Sequence, residues 1–431
     1  MNPLVRIPYA FAGALARAFT AIAPASNSKA ARTFNARRGI AARYERWAAS
    51  NRETHRPLLW VHAPSVGEGL QALPVLDLFR ARHPEAQIAY TFFSPSAERF
   101  VSTVNADFVD YLPFDTVHEA DRTLAALQPT ALFFSKLDVW PLLVETAARK
   151  GVKLGMLSAT MTASSRRGST IARLALGDAY SLLDVVGAVS DADALALIAA
   201  GVSANHITVT GDTRYDQAWQ KAQDDSPARK ALLTPLRASR FTMVAGSTWP
   251  SDEDRLLPAW LAVKRRHADV RLVIAPHELS DAHLDSIEAW SRSNGIAAAR
   301  LGTVAASSAD VVIVDRYGIL GDLYALGDLA YVGGGFRRAG LHSLLEPAAF
   351  GAPVIIGPRH FDNRDAQLLV AAGAAYRCHT ASDIEYKIRQ FVESPGLLQR
   401  SRSASREVVR AGLGAARLSA DLIDSLMFPT R

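Results

Sequence analysis

Three features of the sequence predict an α/β fold made of two doubly wound domains that face one cleft. At 431 residues the chain exceeds the size at which one hydrophobic core stops growing, which favours two domains of about 200 residues. From Pro57 onward, short apolar runs alternate with helical stretches, the pattern of a parallel sheet covered on both faces. The alternation then starts afresh after a polar, charged segment, "QKAQDDSPARK" (Gln220 to Lys230).

In the first half, "LLWVHA" precedes the helical "GLQALPVLDLFRARH", and "QIAYTFF" precedes "SAERFVSTV", also read as helix. "ALFFSK" leads to "WPLLVETAARKG", and "VKLGMLSA" follows as the next strand. "VVGAVS" runs into "DADALALIAAGV", where Ser190 or Asp191 can cap a helix, and "HITVTG" ends the half. In the second half, "FTMVAGS", "VRLVIAPHE", "ADVVIVDRYG", "LAYVGGG" and "APVIIGP" are strands, each followed by a turn signal and a helical run. The expected division is 1–50, 51–220 and 221–431, with the last helical pattern, up to Met427, packing back across the first domain.

Hydrophobic residues make up 49% and charged residues 21%, a globular composition. The single cysteine, Cys378, excludes an intramolecular disulfide and a Cys-rich metal cluster. No HExxH, Cys/His cluster or DxD-like cation trap stands in a convincing position, so no metal is expected, and G-x-S-x-G and Walker-type G-x-x-x-x-G-K-[ST] patterns are absent too. The net charge of +6 points to an anionic partner. No acidic residue precedes Glu45, whereas Arg6, Arg17, Lys29, Arg32, Arg37, Arg38 and Arg43 all do. The apolar stretch Leu4–Pro24 is interrupted by Arg6, Pro8 and Arg17, which is unlike a spanning helix of about 20 apolar residues. It reads as an interfacial helix with a polybasic tract lying on an anionic membrane surface. A helix packed on the body of the protein, followed by a solvated basic loop, is the alternative.

Ligands of such sheets bind beyond the carboxyl ends of the strands, so the strand-end residues are the site candidates. In "WVHAPSVGEG" a carboxylate, Glu68, stands where the chain turns into a helix, after Ser65 and Gly67. The helix dipole favours its charged form there, and it can act as a general base on a hydroxyl; plain helix capping would use it equally well. His62, Ser65, Lys136, Asp138, Ser158 and Arg214 are the other strand-end candidates of the first half. Lys136 and Asp138 either pair with one another or leave the lysine for an anionic substrate. In the second half, Gly333, Gly334 and Gly335 allow a phosphate or sugar to approach the backbone. A helix beginning near His342 would present its N–H groups, and Glu346 could reach ribose hydroxyls. A simple glycine turn and a helix capped by Ser343 is the competing reading. Ser247 and Thr248 can hold an anion or merely cap the next helix, and His277 has the same two readings.

These stretches together resemble the Kdo (3-deoxy-D-manno-octulosonic acid) transferases of lipopolysaccharide biosynthesis. The resemblance runs from about residue 57 to 420 in matching order. It is carried by "HAPSVGE", "KLDVWP", "LSATMTASS", "GDTRYD", "AGSTWPSDE", "IAPHE", "DRYGILGDLYALGDLAYVGGG" and "GLHSLLEPAAFGAPVIIGP". It implies a GT-B glycosyltransferase of two Rossmann-like domains with a membrane-associated N-terminal helix, on the cytoplasmic face of the cell inner membrane. The first domain would hold the acceptor, a lipid A precursor of the lipid IVA kind, and the second CMP-Kdo. Transfer would be inverting and need no metal or other cofactor, and nucleic acid is not an expected partner. Glu68 matches the catalytic base of the family's "SVGE" motif. The chain departs from the common pattern at "APHE" for "PRH", "AGLHS" for "GGHN" and "GSTW" for "GSTH", and the acidic pair around "EIWP" is reduced to Asp138 with Lys136 upstream. A different nucleotide-sugar transferase or epimerase of the same fold, or a non-catalytic membrane-surface protein, are the other readings.

Overall fold

The computed structural model of the protein describes residues 3–26, 28–161, 170–237, 239–338 and 340–429. It divides into two compact units, one of Met1–Gln217 with Leu413–Arg431 and one of Ala218–Gly412. The second half of the "LSATMTASS" motif, residues 162–165, lies outside the described residues.

The first unit is built on strands β1 (Leu58–His62), β2 (Gln87–Phe92), β3 (Phe108–Tyr111), β4 (Ala131–Ser135), β5 (Lys153–Ala159), β6 (Val185–Ala188) and β7 (Ile207–Val209). They pair in parallel in the order β3-β2-β1-β4-β5-β6-β7. Every residue of β1, β2 and β4 is buried, as expected of strands covered on both faces. Its helices begin with α1 (Pro3–Ile22), α2 (Lys29–Asn35), α3 (Ile40–Asn51), α4 (Val66–Arg82), α5 (Val117–Leu127) and α6 (Pro141–Arg149). The last helix, Ala415–Met427, belongs here too: Ala416, Ala420, Ile423 and Met427 join the core of this unit. Asp216 fixes its start by accepting from Gly414 N (2.8 Å) and Ala416 N (2.9 Å). The long helical pattern near the C-terminus is thus divided between units, because Pro395–Ala411 lies in the second.

The second unit repeats the plan with β8 (Phe241–Thr248), β9 (Val270–Pro276), β10 (Ala298–Arg300), β11 (Val311–Ile313), β12 (Leu329–Val332), β13 (Val354–Ile356) and β14 (Ala375–Arg377). Their order is β10-β11-β9-β8-β12-β13-β14. The sequence pattern misses β3, β10 and β14. All three lie at or next to a sheet edge, and the last two have only three residues each. "SAERFVSTV" forms two single 3-10 turns, Pro95–Ala97 and Val101–Thr103, instead of a helix. Tertiary packing outweighs propensity there, since the Phe100 ring fills the space that a Cβ on Gly69 would need.

Helix α1 is amphipathic the wrong way round for a helix resting on a protein core. Its polar face turns inward, with Arg6 bonded to Glu145, Tyr9 Oη donating to Asp115 Oδ2 (2.9 Å) and Arg17 Nε to Glu119 Oε1 (2.6 Å). Gly13 lets the helix settle against the Asp115 carbonyl, 2.7 Å from where a Cβ would stand. Outward face Leu4 (86% exposed), Ile7, Phe11 (64%), Leu15 and Ile22 (76%), while Phe19 packs edge-on against Phe34 (ring centroids 4.8 Å). Among the described residues no helix is long and apolar enough to cross a membrane. The basic tract is largely spent inside the unit. Arg32 pairs with Glu98 and Arg43 with Asp110 (2.7 Å). Arg37 is buried, donating to the carbonyls of Leu112, Thr33 and Phe93 while lying 3.9 Å over the Phe93 ring. Burial pushes its guanidinium down to about 10. Several of these arginines are thus paired or buried within the unit.

Candidate functional site

Each sheet has a switch point where the strand order reverses, between β1 and β4 in the first unit and between β8 and β12 in the second. Ligands of doubly wound sheets bind at such points, and the candidates divide between the two.

In the first unit, β1 ends at His62 and the chain enters α4 through its N-cap, Ser65, placing Glu68 in the first turn. The S-x-x-E spacing suits a reciprocal capping box, but neither backbone bond forms: Ser65 makes no side-chain cap bond. Its hydroxyl instead donates to Glu68 Oε2. The other carboxylate oxygen, Oε1, stands 3.4 Å from Lys136 Nζ at the end of β4, and Ser135 Oγ donates to the Glu68 carbonyl (3.0 Å). The carboxylate therefore does no capping among the described residues. Tyr90, whose buried hydroxyl has no hydrogen-bond partner among the described residues, packs against Gly69. Burial, reinforced by the charge of Glu68, pushes its hydroxyl above the usual phenol range and keeps it protonated.

Lys136 and Asp138 do not pair with each other. Asp138 Oδ2 accepts from Trp140 Nε1 (3.2 Å) and lies 3.5 Å from His62 Nε2. His62 is fully buried. Thr91 Oγ1 accepts from Trp60 Nε1 (2.9 Å) and lies 3.0 Å from His62 Nδ1. Ser158 is likewise interior: it contacts Thr213 Oγ1 (2.9 Å), which donates to the Gln71 carbonyl. Arg214 donates from Nε (2.9 Å) and Nη2 (2.6 Å) to the same oxygen, Oδ2, of Asp212. Ser65, Glu68, Lys136, Asp138 and His62 thus belong to the neighbouring ends of β1 and β4. Ser158 and Arg214 stand further along the sheet, at β5 and after β7.

Among the described residues, Gln128, Lys136, Ser158 and Ser247 are the non-glycine residues at positive φ (42°, 66°, 50° and 52°). Three of them are strand-end candidates. Such backbone costs about 1–3 kcal/mol each and persists where the surroundings dictate it.

In the second unit, Ser247 sits in a bulge between Gly246 and Thr248. Thr248 Oγ1 donates to Glu253 Oε1 (2.7 Å), and Glu253 Oε2 meets His283 Nε2 (2.8 Å). The three glycines are packed by their own fold. Added Cβ atoms would meet the Ser247 carbonyl (2.1 Å) at Gly333, the Gly340 carbonyl (2.3 Å) at Gly334 and Gly357 N (2.5 Å) at Gly335. Asp252, not among the strand-end candidates, clamps this loop. It accepts from Tyr331 Oη (3.0 Å), Gly334 N (3.0 Å) and Trp249 N (3.1 Å). Burial raises its carboxyl, and these three donors hold the rise in check.

His277 stacks on both Trp249 and His342 (centroids 4.5 Å in each case), and Trp249 Nε1 donates to His342 Nε2 (3.3 Å). Burial, then His277 and Arg337, push His342 down to about 4, so it is a neutral acceptor. The helix expected near His342 begins at Leu345 and is not capped by Ser343, which is exposed in the preceding loop. Glu346 faces Lys221 and Asp322, and burial raises its carboxyl. Among the described residues no three His, Cys, Asp or Glu side chains converge as a metal site would require.

Two parallel seven-stranded sheets, each with polar and strained residues at its switch point, place the protein in the GT-B class. Its fold is similar to that of the UDP-GlcNAc 2-epimerase from Neisseria meningitidis, at a TM-score of 0.61 and 14% identity over 85% of this chain and 99% of that one. Residues 36–217 match the family model of the 3-deoxy-D-manno-octulosonic-acid transferases (kdotransferases). The chain is 31% identical to the 3-deoxy-D-manno-octulosonic acid transferase of Bordetella pertussis, over 85% of its own length and 86% of the relative's. Against that of Aquifex aeolicus (strain VF5) identity is 26%, over 78% and 86%. The chain belongs to the Kdo transferase family and is a glycosyltransferase.

Proposed function

We propose that the protein transfers Kdo from CMP-Kdo to a sugar hydroxyl of a lipid A precursor of the lipid IVA kind, with inversion at the anomeric carbon. Glu68 removes the hydroxyl proton, the freed oxygen forms the new bond to the anomeric carbon, and the bond to the CMP phosphate breaks with its electron pair leaving on CMP. The observation that carries this reading is the Glu68 carboxylate at a switch point, bound by Ser65 and Lys136 and free of capping duty. A general base of this kind contributes about 100- to 10,000-fold in rate. The second unit supplies the nucleotide site through the loop ends of β8, β9 and β12, and the residues at hand suit chemistry without a bound metal.

Outward-facing α1 supports a place at the cytoplasmic face of the inner membrane, in lipopolysaccharide core biosynthesis. Five large apolar side chains facing away from the body, Leu4, Ile7, Phe11, Leu15 and Ile22, favour contact with the acyl boundary of a bilayer, more than contact through charge alone. Incubation with CMP-Kdo and a lipid A precursor, followed by mass spectrometry of the lipid, tests the whole reading. A product heavier by one or more Kdo units supports it, and an unchanged lipid rejects it. The epimerase-like fold supports one competing reading, conversion of a UDP-sugar; UDP-GlcNAc displacing CMP-Kdo in competition would favour that instead.

A further inference from the structure

We propose that Arg337, held flat on the Trp249 indole, is an oxyanion contact of the donor site, a role that rests on the nucleotide-sugar reading above. The guanidinium carbon lies 3.6 Å over the Trp249 ring. That places a positive charge at the switch point of the second sheet, beside the ends of β8 and β12. Its side chain makes no hydrogen bond or ion pair among the described residues. Asp252, which clamps the same loop, has its oxygens taken by Tyr331, Gly334 and Trp249. Arg255, by contrast, already donates to the Ser251 carbonyl and stacks on Phe336 (4.5 Å).

A guanidinium on an aromatic face keeps its in-plane N–H fork available, and that fork matches the two oxygens of a phosphate or carboxylate. Trp249 is itself fixed, by its backbone bond to Asp252, its indole bond to His342 and its stacking on His277. The indole is therefore a rigid platform, and the guanidinium loses little further freedom when an anion binds. His342 supplies no competing charge, being kept neutral. A sugar acid carried on a nucleotide offers two oxyanions of the right kind, the phosphodiester and the sugar carboxylate.

The test uses the full chain, titrating CMP and cytidine by calorimetry and measuring KM for CMP-Kdo in the parent, Arg337→Gln, Arg337→Lys, Trp249→Leu and the double variant. A phosphate contact weakens CMP binding about 10- to 100-fold in Arg337→Gln and leaves cytidine unchanged. A carboxylate contact leaves CMP unchanged and raises the KM for CMP-Kdo by a similar factor. In either case Arg337→Lys falls between. Trp249→Leu shows a smaller loss, and the double variant is no worse than Arg337→Gln. If Arg337→Gln matches the parent in both measurements, the proposal is overturned while the donor reading stands. A parent that binds no CMP and turns over no CMP-Kdo removes the donor reading and this role together. Fully additive losses in the double variant would overturn the platform.

Discussion

Lys136 Nζ lies 3.4 Å from Glu68 Oε1, joining residues 68 positions apart at the neighbouring ends of β4 and β1. Lys136 is partly exposed, so the pair adds about 0–1 kcal/mol to stability. It is a poor explanation for holding a lysine at a φ of 66°. Orientation and charge at the Glu68 carboxylate are the better one.

Glu68→Gln keeps the size and the Ser65 contact but cannot take a proton. Transfer is expected to fall about 100-fold or more, with melting temperature and CMP affinity close to those of the parent. Turnover within a few-fold of the parent would remove Glu68 from the chemistry.

The two glycines flanking Glu68 should respond in opposite ways. A Cβ on Gly67 meets only Ser65 Oγ at 3.9 Å, whereas one on Gly69 comes within 2.3 Å of the Phe100 ring and 2.7 Å of Tyr90 Oη. Gly67→Ala is expected to be neutral or to stabilise by up to about 1 kcal/mol, and Gly69→Ala to destabilise by about 1–3 kcal/mol, read by denaturant unfolding. An activity loss in Gly67→Ala without a stability change would place the acceptor in the open space beside the carboxylate.

Vesicle binding should depend on the outer face of α1. Ile7→Glu with Phe11→Glu removes about 3–6 kcal/mol of burial, enough to abolish sedimentation with phosphatidylglycerol vesicles while the melting temperature holds. Because most N-terminal arginines are already paired or buried, binding of the parent should change little between low and high salt. A steep salt dependence would return the interaction to charge.

Asp115 carries a pH signature. It is buried beneath α1, where burial, the largest influence, raises its carboxyl to about 6 against the lowering effect of Leu142 N, Tyr9 and Leu143 N. A carboxyl raised in the folded state contributes stability that is fully present below its unfolded value and is lost as pH rises through the folded one. The gap is worth about 3 kcal/mol. The stability difference between the parent and Asp115→Asn should therefore shift against the parent as pH rises from about 4 to 6, and stay level above that. A difference that does not change across that range would contradict the assignment.

The alternation that predicted two doubly wound domains was legible because buried parallel strands are continuous apolar runs. β3, β10 and β14 lacked that signal, being short and marginal in their sheets. Glu68, Lys136, Ser158 and Ser247 could be picked out by strand-end position alone. What the sequence could not convey was partnership: that Lys136 turns to Glu68 and Asp138 to His62 depends on which strands become neighbours. Asp252 was not among the strand-end candidates, and Arg337 carried no signal at all, since its significance lies in an indole 88 positions away in the chain. The partners of the N-terminal arginines were hidden for the same reason, because their carboxylates come from later segments.

The clasp between Asp216 and the start of the Ala415–Met427 helix has a consequence for biosynthesis. During translation the second unit emerges whole before the ribosome delivers the helix that completes the first. The first unit must therefore wait, with part of its core uncovered, for a segment made after the whole second unit. Chaperone dependence and sensitivity to premature termination should concentrate in that interval.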